Sequence, residues 1–389
     1  MLLYSTLKTA QELYPTLRCK LSTGALLRVT HYLEGLTAGI HQEGPRRRSL
    51  LSQNPLIFSG NSNLALAEEI AKRLKLHVGK ALVSQFKNEE CRIEISENVR
   101  GSEVFVVQST CKAPNGNSVN DSIMELLLMI DALKRASAGR ITAVVPYYGY
   151  AKQDKKTKGR EPISAKVVAN LLKVVGVKRM VTMDLHAAQI QGFFDGPVDN
   201  LMAMPTLCNY LKKEGLCDDK IVVVSPDAGG VHRAELFAKR LRSSLAIVFK
   251  RRPEPDISEV TDIVGDVGGK IAVVVDDMIS TGGTLARAAE ALLKRGATKV
   301  YTVATHGIFA DDATKVLEES SIEKVVVTNT IPFADIEHHP KFAILSIAQI
   351  LADAINRITT NRSVSELFTD DEEKKVADYS PIEMPAVPA

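Results

Sequence analysis

The sequence has few cysteines, little net charge and no long apolar run. It is 389 residues long, and no two of its five cysteines form a Cys-x-x-Cys pair: they are Cys19, Cys91, Cys111, Cys208 and Cys217. An odd number of scattered cysteines disfavours a disulfide framework and a thiolate zinc site, so we expect a reducing compartment. No uninterrupted apolar run approaches the roughly 18–20 residues that a membrane helix needs.

The charge balance excludes further classes of protein. The 49 basic and 46 acidic residues leave a formal charge of +3, and no zinc-finger spacing occurs. A general nucleic-acid or membrane binder is therefore disfavoured. The length predicts two or three domains, and the 45% of hydrophobic residues suffices for sizeable cores.

The two ends of the chain differ from its middle. Residues 1–54 are rich in Ser, Thr and Arg, and we interpret them as a poorly ordered extension, with an organelle-import peptide as the open alternative to a cytoplasmic location. Residues 369–389 hold six acidic residues and three prolines, which predicts a disordered acidic tail.

Between the ends, short β-branched runs alternate with amphipathic segments. The pattern occurs twice, over 55–200 and 201–345, before a C-terminal helix and regulatory segment at 346–368. It predicts α/β domains with mostly parallel sheets flanked by helices. The predicted strands are 55–58, 103–108, 141–146, 179–184, 220–225, 245–249, 271–277, 299–304 and 324–328. The predicted helices are 63–75, 122–138, 162–175, 230–242, 283–295 and 312–319.

The most informative segment follows the predicted strand 271–277. Asp276 and Asp277 are expected at its exposed end, followed by small residues and a helix: Ser280, Thr281, Gly282, Gly283 and Thr284. Such a turn can present backbone N–H groups to an anion, and the helix N-terminus adds its positive dipole. Two carboxylates beside it suit ribose hydroxyls or a metal ion. A plain Gly-rich corner is the bland alternative, and no Walker A loop occurs.

This string resembles the phosphoribosyl diphosphate-binding motif of type I phosphoribosyltransferases, and other segments narrow the resemblance to ribose-phosphate diphosphokinases. Those segments lie in family order between about 55 and 368, and they are 86–90 (FKNEE), 124–127 (MELL), 146–156 (PYYGYAKQDKK), 183–195 (MDLHAAQIQGFFD), 225–230 (SPDAGG) and 250–253 (KRRP). The resemblance implies two tandem phosphoribosyltransferase-like domains with the active site between them. The implied reaction transfers the diphosphoryl group of ATP to the anomeric hydroxyl of ribose 5-phosphate.

The resemblance also assigns the site residues. Lys250, Arg252 and His186 are implied as catalytic. The implied region of Mg²⁺ and the ATP phosphates comprises Asp184, His186, Asp195, Asp199 and Asp227. Magnesium keeps several waters, so His186 contacting ATP phosphate instead of metal stays open. Asp227 either serves the metal and ribose-phosphate side, caps the following helix, or does both. The ribose 5-phosphate site is implied to comprise Asp227, Asp276, Asp277 and residues 280–284.

Further positions are implied for the nucleotide and for regulation. Lys152, Gln153 and Asp154 match the ATP segment, and Phe86, Asn88 and Glu90 match residues that reach the adenine of a neighbouring subunit, which implies an oligomer, a hexamer in the family. The phosphate and ADP regulatory site is matched by Arg100, Ser137, Gln191, Ser363, Ser365 and Phe368. Asn98 and Glu366 depart from the family pattern and put phosphate activation in doubt.

Two alternatives to this enzyme remain. A non-catalytic regulatory subunit of the same fold would be expected to lose catalytic features, whereas His186 and the 250–252 motif are intact. A phosphoribosyltransferase would have one such domain and no ATP segment.

Overall fold

The computed structural model describes residues 55–251, 260–333 and 339–368, limited to the backbone at 250, 251, 260 and 261. The predicted N-terminal extension and acidic tail lie outside the described residues, as does Arg252. In the described part of the chain, no helix is both long and apolar enough to cross a membrane.

The first half contains seven strands. They are β1 (Leu56–Ser59), β2 (Ala81–Gln85), β3 (Cys91–Ile95), β4 (Glu103–Val107), β5 (Arg140–Val145), β6 (Arg179–Met183) and β7 (Val198–Leu201). Five form a wholly parallel sheet in the order β1-β4-β5-β6-β7. Strands β2 and β3 form a separate antiparallel hairpin.

The second half forms one sheet of seven strands. They are β8 (Ile221–Ser225), β9 (Ser244–Arg251), β10 (Val260–Val264), β11 (Ile271–Ile279), β12 (Lys299–Gly307), β13 (Lys324–Thr328) and β14 (Phe342–Leu345). Their order is β10-β9-β8-β11-β12-β13-β14, and only the β10–β9 pair is antiparallel. The α/β prediction of mostly parallel sheets is confirmed.

Eight α-helices surround the sheets in the described residues. They are α1 (Leu64–Arg73), α2 (Val119–Arg135), α3 (Ser164–Val175), α4 (Met204–Lys213), α5 (Val231–Leu241), α6 (Gly283–Lys294), α7 (Ala313–Glu319) and α8 (Ala348–Thr359). The six helices predicted between residues 63 and 319 are present within a few residues of their predicted bounds. Short 3-10 helices occur at Ala188–Phe193, Asp218–Lys220 and Ser365–Phe368.

The strands are buried on both faces, which explains their near-continuous apolar runs. All five residues of β4 and of β8 are buried. One apolar cluster contains Phe105 and Val181 of the first sheet together with Val223 and Val273 of the second. The two halves therefore share a core, which fixes the ends of their strands relative to each other.

Candidate active site

A cavity of about 670 Å³ lies where the carboxyl ends of strands from both sheets meet. In parallel α/β sheets, ligands bind beyond these ends. The first half contributes Lys152, Asp154 and His186 to the lining, and the second half contributes Asp227, the two carboxylates of β11 and most of the small-residue loop. The predicted sugar-phosphate residues and most of the predicted ATP segment are therefore brought together.

The small-residue loop runs from Ser280 to Thr284, between β11 and α6. Ser280, Thr281, Gly282 and Thr284 line the cavity, and Gly283 begins the helix. Gly282 has a φ of 75°, and an added Cβ would come within 3.0 Å of Leu317 Cγ. Only glycine adopts this backbone without strain, so the loop keeps its N–H groups accessible to an anion at the N-terminus of α6.

One expectation about this loop is corrected. Asp276 and Asp277 lie within β11 and not at its exposed end, because the strand continues to Ile279. Pairing with β12 sustains this extension, since Asp276 lies opposite Ala304 and Met278 opposite His306. The two carboxylates therefore start from a rigid strand.

The carboxylate pair shares one cation. Arg233 of α5 places Nη1 3.5 Å from an oxygen of Asp276 and 3.5 Å from one of Asp277. Burial and the neighbouring Asp277 raise the pKa of Asp276 to about 7. Burial alone would raise the pKa of Asp277, but the hydrogen bond from His186 and the Arg233 charge outweigh it and lower that pKa below its usual range.

His186 links the two halves across the cavity. Its Nδ1 is 2.7 Å from Asp277 Oδ2, and 36% of its side chain is exposed. The hydrogen bond to Asp277 raises the pKa of His186 against the opposing effect of burial. The pair thus favours a protonated imidazole at the mouth of an anion site, with Nε2 left to donate to a ligand.

The other predicted metal residues lie in different surroundings. Asp184 accepts hydrogen bonds from Ala203 N and Thr305 Oγ1. Asp199 pairs with Arg179 at 2.5 Å, and Asp195 is beside Lys173 with its side chain almost wholly exposed. None of the three lines the cavity. Their assignment as metal ligands stays a prediction.

Asp227 lies at the cavity but is not the N-cap of α5, which is Gly230 with no side-chain cap hydrogen bond. It lines the cavity, and its Oδ1 accepts a hydrogen bond of 2.9 Å from the N–H of Gly230, directly before α5. An added Cβ at Gly230 would come within 2.8 Å of Ser225 Oγ. The glycine therefore lets the loop pack closely while Asp227 stays at the cavity.

Two of the three predicted ATP-segment residues line the cavity, and the third makes a hydrogen bond within the first half. Lys152 and Asp154 line the cavity, whereas Gln153 accepts a hydrogen bond from Ser164 Oγ. Asp154 is buried, and Gln189 donates to it at 2.5 Å. This bond holds the segment against the loop that follows β6.

Phe86, Asn88 and Glu90 lie at the tip of the β2–β3 hairpin and do not line the cavity. Phe86 is 50% exposed, and the guanidinium of Arg92 lies 5.6 Å from its ring centroid. An exposed aromatic ring with a cation beside it is suited to stack on a base.

The predicted basic motif begins inside a strand. Lys250 lies in β9, opposite Thr261 of β10, so the strand extends beyond the predicted end at 249. Arg251 is the last residue of β9, and residues 252 and 253 of that motif lie outside the described residues.

Four of the six predicted regulatory residues are brought together in two pairs. Arg100 Nη1 donates to Ser137 Oγ at 3.3 Å, and the hydroxyls of Ser363 and Ser365 are 2.8 Å apart. Phe368 packs against the shared core, and the Gln191 side chain bonds Ala188 O.

The two departures from the family pattern also have partners. Asn98 Oδ1 accepts a hydrogen bond from the N–H of Arg100. Glu366 forms an ion pair of 2.8 Å with Arg357, whose side chain is 8% exposed. The pair gives Glu366 a role within this end of the chain, whichever ligand binds nearby.

Sequence reasoning missed Arg233, Lys155 and Gln189 as lining residues. Arg233 is three residues after Gly230, on the first turn of the predicted helix, where its side chain can turn back to the site. The Gly-Gly pair before that helix was the available signal.

Comparison with known proteins gives concordant matches. Residues 55–176 match the N-terminal domain of ribose phosphate pyrophosphokinase, and residues 254–369 match the phosphoribosyl synthetase-associated domain. A ribose-phosphate pyrophosphokinase of Fusobacterium nucleatum is 52% identical over 315 residues, which are 81% of this chain and 98% of that protein. The enzyme of that name from Caldanaerobacter subterraneus is 53% identical over 313 residues, 80% of this chain and 97% of that protein. The crystal structure of phosphoribosylpyrophosphate synthetase from Mycobacterium smegmatis superposes with a TM-score of 0.74 at 45% identity, covering 79% of this chain and all of that one.

Proposed function

The chain belongs to the ribose-phosphate pyrophosphokinase family, whose members are enzymes of phosphoribosyl pyrophosphate synthesis, and on that basis we propose its reaction. In this reaction the diphosphoryl group of ATP passes to the anomeric hydroxyl of ribose 5-phosphate, and AMP is released. The observation that carries the proposal is the cavity itself, in which an anion-binding loop, two carboxylates and several cations converge from both halves.

The loop at Ser280–Thr284 is proposed to hold the 5-phosphate through its N–H groups and hydroxyls. Asp276, on the adjacent strand, then accepts from a ribose hydroxyl. Lys152, Lys155 and Arg233 line the same cavity and offset the charge of the nucleotide phosphates. Phosphoryl transfer depends chiefly on alignment and charge neutralisation, and this lining supplies both.

His186 is proposed to orient the transferring group. Its Nδ1 is committed to Asp277, so Nε2 is the atom that donates to a phosphate oxygen. The hydrogen bond to Asp277 raises the pKa of His186, which favours the protonated ring and so a positive charge at that oxygen. Lys250 and Arg252 are proposed to contribute charge to the transition state from the β9–β10 segment.

The lining also fits Mg²⁺. The carboxylates at the cavity offer oxygen donors, while no cluster of three or more metal-binding side chains occurs among the described residues. That suits an ion held by Asp227, substrate phosphates and water. When bound, it would neutralise phosphate charge.

The nucleotide site is proposed to be completed by an oligomer. The tip of the β2–β3 hairpin is exposed and lies outside the cavity lining of its own chain, which supports a role for Phe86, Asn88 and Glu90 at the adenine of a neighbouring subunit.

The test is an assay with ATP, Mg²⁺ and ribose 5-phosphate that follows AMP and phosphoribosyl diphosphate. Lys250→Ala and Arg252→Ala should lower kcat far more than they change either KM, because their contacts strengthen as charge develops. Lys239→Ala, an exposed residue of α5, is the control and should behave as the parent. A parent enzyme that forms no product at any phosphate concentration would instead support the non-catalytic regulatory subunit.

A further inference from the structure

The turn that carries His186 is held from the opposite half of the molecule. This turn, Met183–His186, begins at the last residue of β6 in the first sheet, and Asp184 within it has a φ of 38°. A non-glycine residue in this region is strained by about 1–3 kcal/mol and persists only where its surroundings enforce it. The contacts that enforce it therefore decide where His186 lies.

Two adjacent residues of β12 supply the contacts from the second half, while Asn200 and Leu201 of β7 bond the same turn from the first half. Thr305 Oγ1 donates to Asp184 Oδ2 at 2.7 Å, and the same oxygen accepts from Ala203 N at 2.9 Å. His306 places Nε2 3.1 Å from Met183 O and 3.3 Å from Asp184 O. Both of these partners are carbonyl oxygens, so Nε2 carries the hydrogen and donates.

Both residues of β12 are themselves held rigidly. Thr305 and His306 are 3% and 2% exposed. His306 Nδ1 is 2.9 Å from Thr330 Oγ1, and the Tyr147 ring packs edge-on against the imidazole at 5.1 Å between centroids. A buried ring fixed at both nitrogens and on one edge has little freedom to follow a shifted turn.

The strand pairing aligns this contact with the site. Strand β12 is hydrogen-bonded to β11, and His306 lies opposite Met278, the residue after Asp277. Asp277 and the Thr305–His306 pair therefore reach the same turn from neighbouring strands of the second sheet. Asp277 holds the His186 ring, and the Thr305–His306 pair holds the backbone that carries this ring.

We propose that Thr305 and His306 are positioning residues, which set the Met183–His186 turn so that the imidazole of His186 meets Asp277 across the cavity. The effect that this role has on kcat rests on the function proposed above, whereas its effect on the His186–Asp277 hydrogen bond does not. Loss of the Thr305 hydroxyl would leave the Asp184 carboxylate with one donor fewer and let the turn relax.

The experiment compares Thr305→Val, which keeps the shape and removes the hydroxyl, with Thr305→Ser, which keeps the hydroxyl. Thr302→Val is the matched control, because Thr302 is on the same strand and wholly buried, and its hydroxyl has no hydrogen-bond partner in the described structure. The first readout is the nitrogen-15 and proton resonance of the His186 Nδ1–H in the substrate-free protein, assigned by its loss in His186→Asn. The second is the separate measurement of kcat and both KM values.

We expect Thr305→Val to shift or broaden the His186 resonance and to lower kcat about tenfold, the effect of about 1.4 kcal/mol, with KM changed less than about threefold. Thr305→Ser and Thr302→Val should keep the resonance and kcat within about twofold. His306→Gln, whose amide can donate to the same carbonyls, should retain more of the resonance than His306→Phe.

Three outcomes overturn the proposal. One is a Thr305→Val protein that unfolds at a lower temperature while the resonance and kcat stay unchanged, which would make the contact merely structural. Another is an equal response in Thr302→Val. The third is a parent protein without a hydrogen-bonded His186 Nδ1–H. If the parent lacks activity but the resonance responds as expected, the proposed function fails and the positioning role stands.

Discussion

A buried carboxylate in α2 offers the sharpest test of what holds the first half together. Glu125 has no exposed surface, and four N–H groups donate to it. Asn61 Nδ2 and Asn117 Nδ2 reach Oε1 at 2.7 and 2.8 Å, and Asn61 N and Gln108 Nε2 reach Oε2 at 3.1 and 2.9 Å. The group thereby ties two loops at the carboxyl edge of the sheet, the β1–α1 loop and the β4–α2 loop, to one helix.

Glu125→Gln tests this arrangement without changing its volume. The amide oxygen can keep two donors, but the amide nitrogen must face the other two, and the longer pair at Oε2 is expected to be lost. The backbone N–H of Asn61 cannot reorient, and Gln108 is fixed because its Oε1 accepts from Ser62 N and Oγ. Asn61 N and one of the two N–H groups of Gln108 Nε2 lose their acceptor, while the other N–H of Gln108 keeps Ser122 O. Each lost acceptor costs up to about 1–3 kcal/mol, so we expect a loss of no more than about 6 kcal/mol.

The loss should also reach the β2–β3 hairpin. Asn61 Nδ2 donates to Val83 O, and Asn117 Oδ1 accepts from Gln85 Nε2, so two of the three Glu125 partners hold β2. If the hairpin reads the nucleotide as proposed, KM for ATP should rise several-fold and KM for ribose 5-phosphate should not.

The free energy of unfolding is measured by urea denaturation at fixed protein concentration. The slope of this free energy against urea concentration is compared between variants. Glu68→Gln is the matched control, since Glu68 is an exposed glutamate in α1, and its change should stay within about 0.5 kcal/mol. If Glu125→Gln lowers the free energy of unfolding no more than Glu68→Gln does, the Glu125 carboxylate does not hold the loops and the reasoning is refuted.

Three further predictions concern the site. The pKa of His186 is raised above its ordinary 6.5, and the pKa of Asp277 is lowered below its ordinary 3.8. The ion pair therefore stabilises the fold fully between pH 3.8 and 6.5, and this stabilisation is lost as pH rises through the raised pKa of His186. His186→Asn should accordingly lower the thermal midpoint more at pH 5.5 than at pH 9. The pKa of Asp276 is raised to about 7, so the folded state loses stability as pH rises from about 4 to 7. Asp276→Asn, which stays neutral, should therefore raise the thermal midpoint relative to the parent more at pH 8 than at pH 4.5. Phe86→Ala should raise KM for ATP by roughly 5- to 150-fold, from about 1–3 kcal/mol of base stacking, and leave KM for ribose 5-phosphate unchanged.

Each of these has a contradicting result. A stability difference that does not vary with pH would refute the assigned ionisation of His186 or of Asp276. An equal rise in both KM values for Phe86→Ala would indicate a general distortion of the hairpin. Val174→Ala, a substitution of a 76% exposed apolar residue in α3, should change neither KM.

What could be predicted from the sequence was local in origin. The β-branched runs predicted nine strands and the apolar periodicity predicted six helices, because burial on both faces of a parallel sheet leaves a continuous pattern. The small-residue loop after β11 was recognisable because its glycines, hydroxyls and following helix are contiguous. The strands β7, β10 and β14, the hairpin β2–β3 and helix α4 were missed. Of these, β2, β3, β7 and β14 are partly buried strands of four or five residues, which have a weak pattern.

The contacts that assemble the site needed the tertiary structure. His186 and Asp277 are 91 residues apart, and Thr305 and Asp184 are 121 apart. Glu125 reads as an ordinary residue of an amphipathic helix, although it is wholly buried. Such pairs depend on how two sheets pack on a shared core and on which strand ends then face each other. Residue type and local spacing determined which groups the chain offers for chemistry, and only the packing of the two halves decided which of them meet.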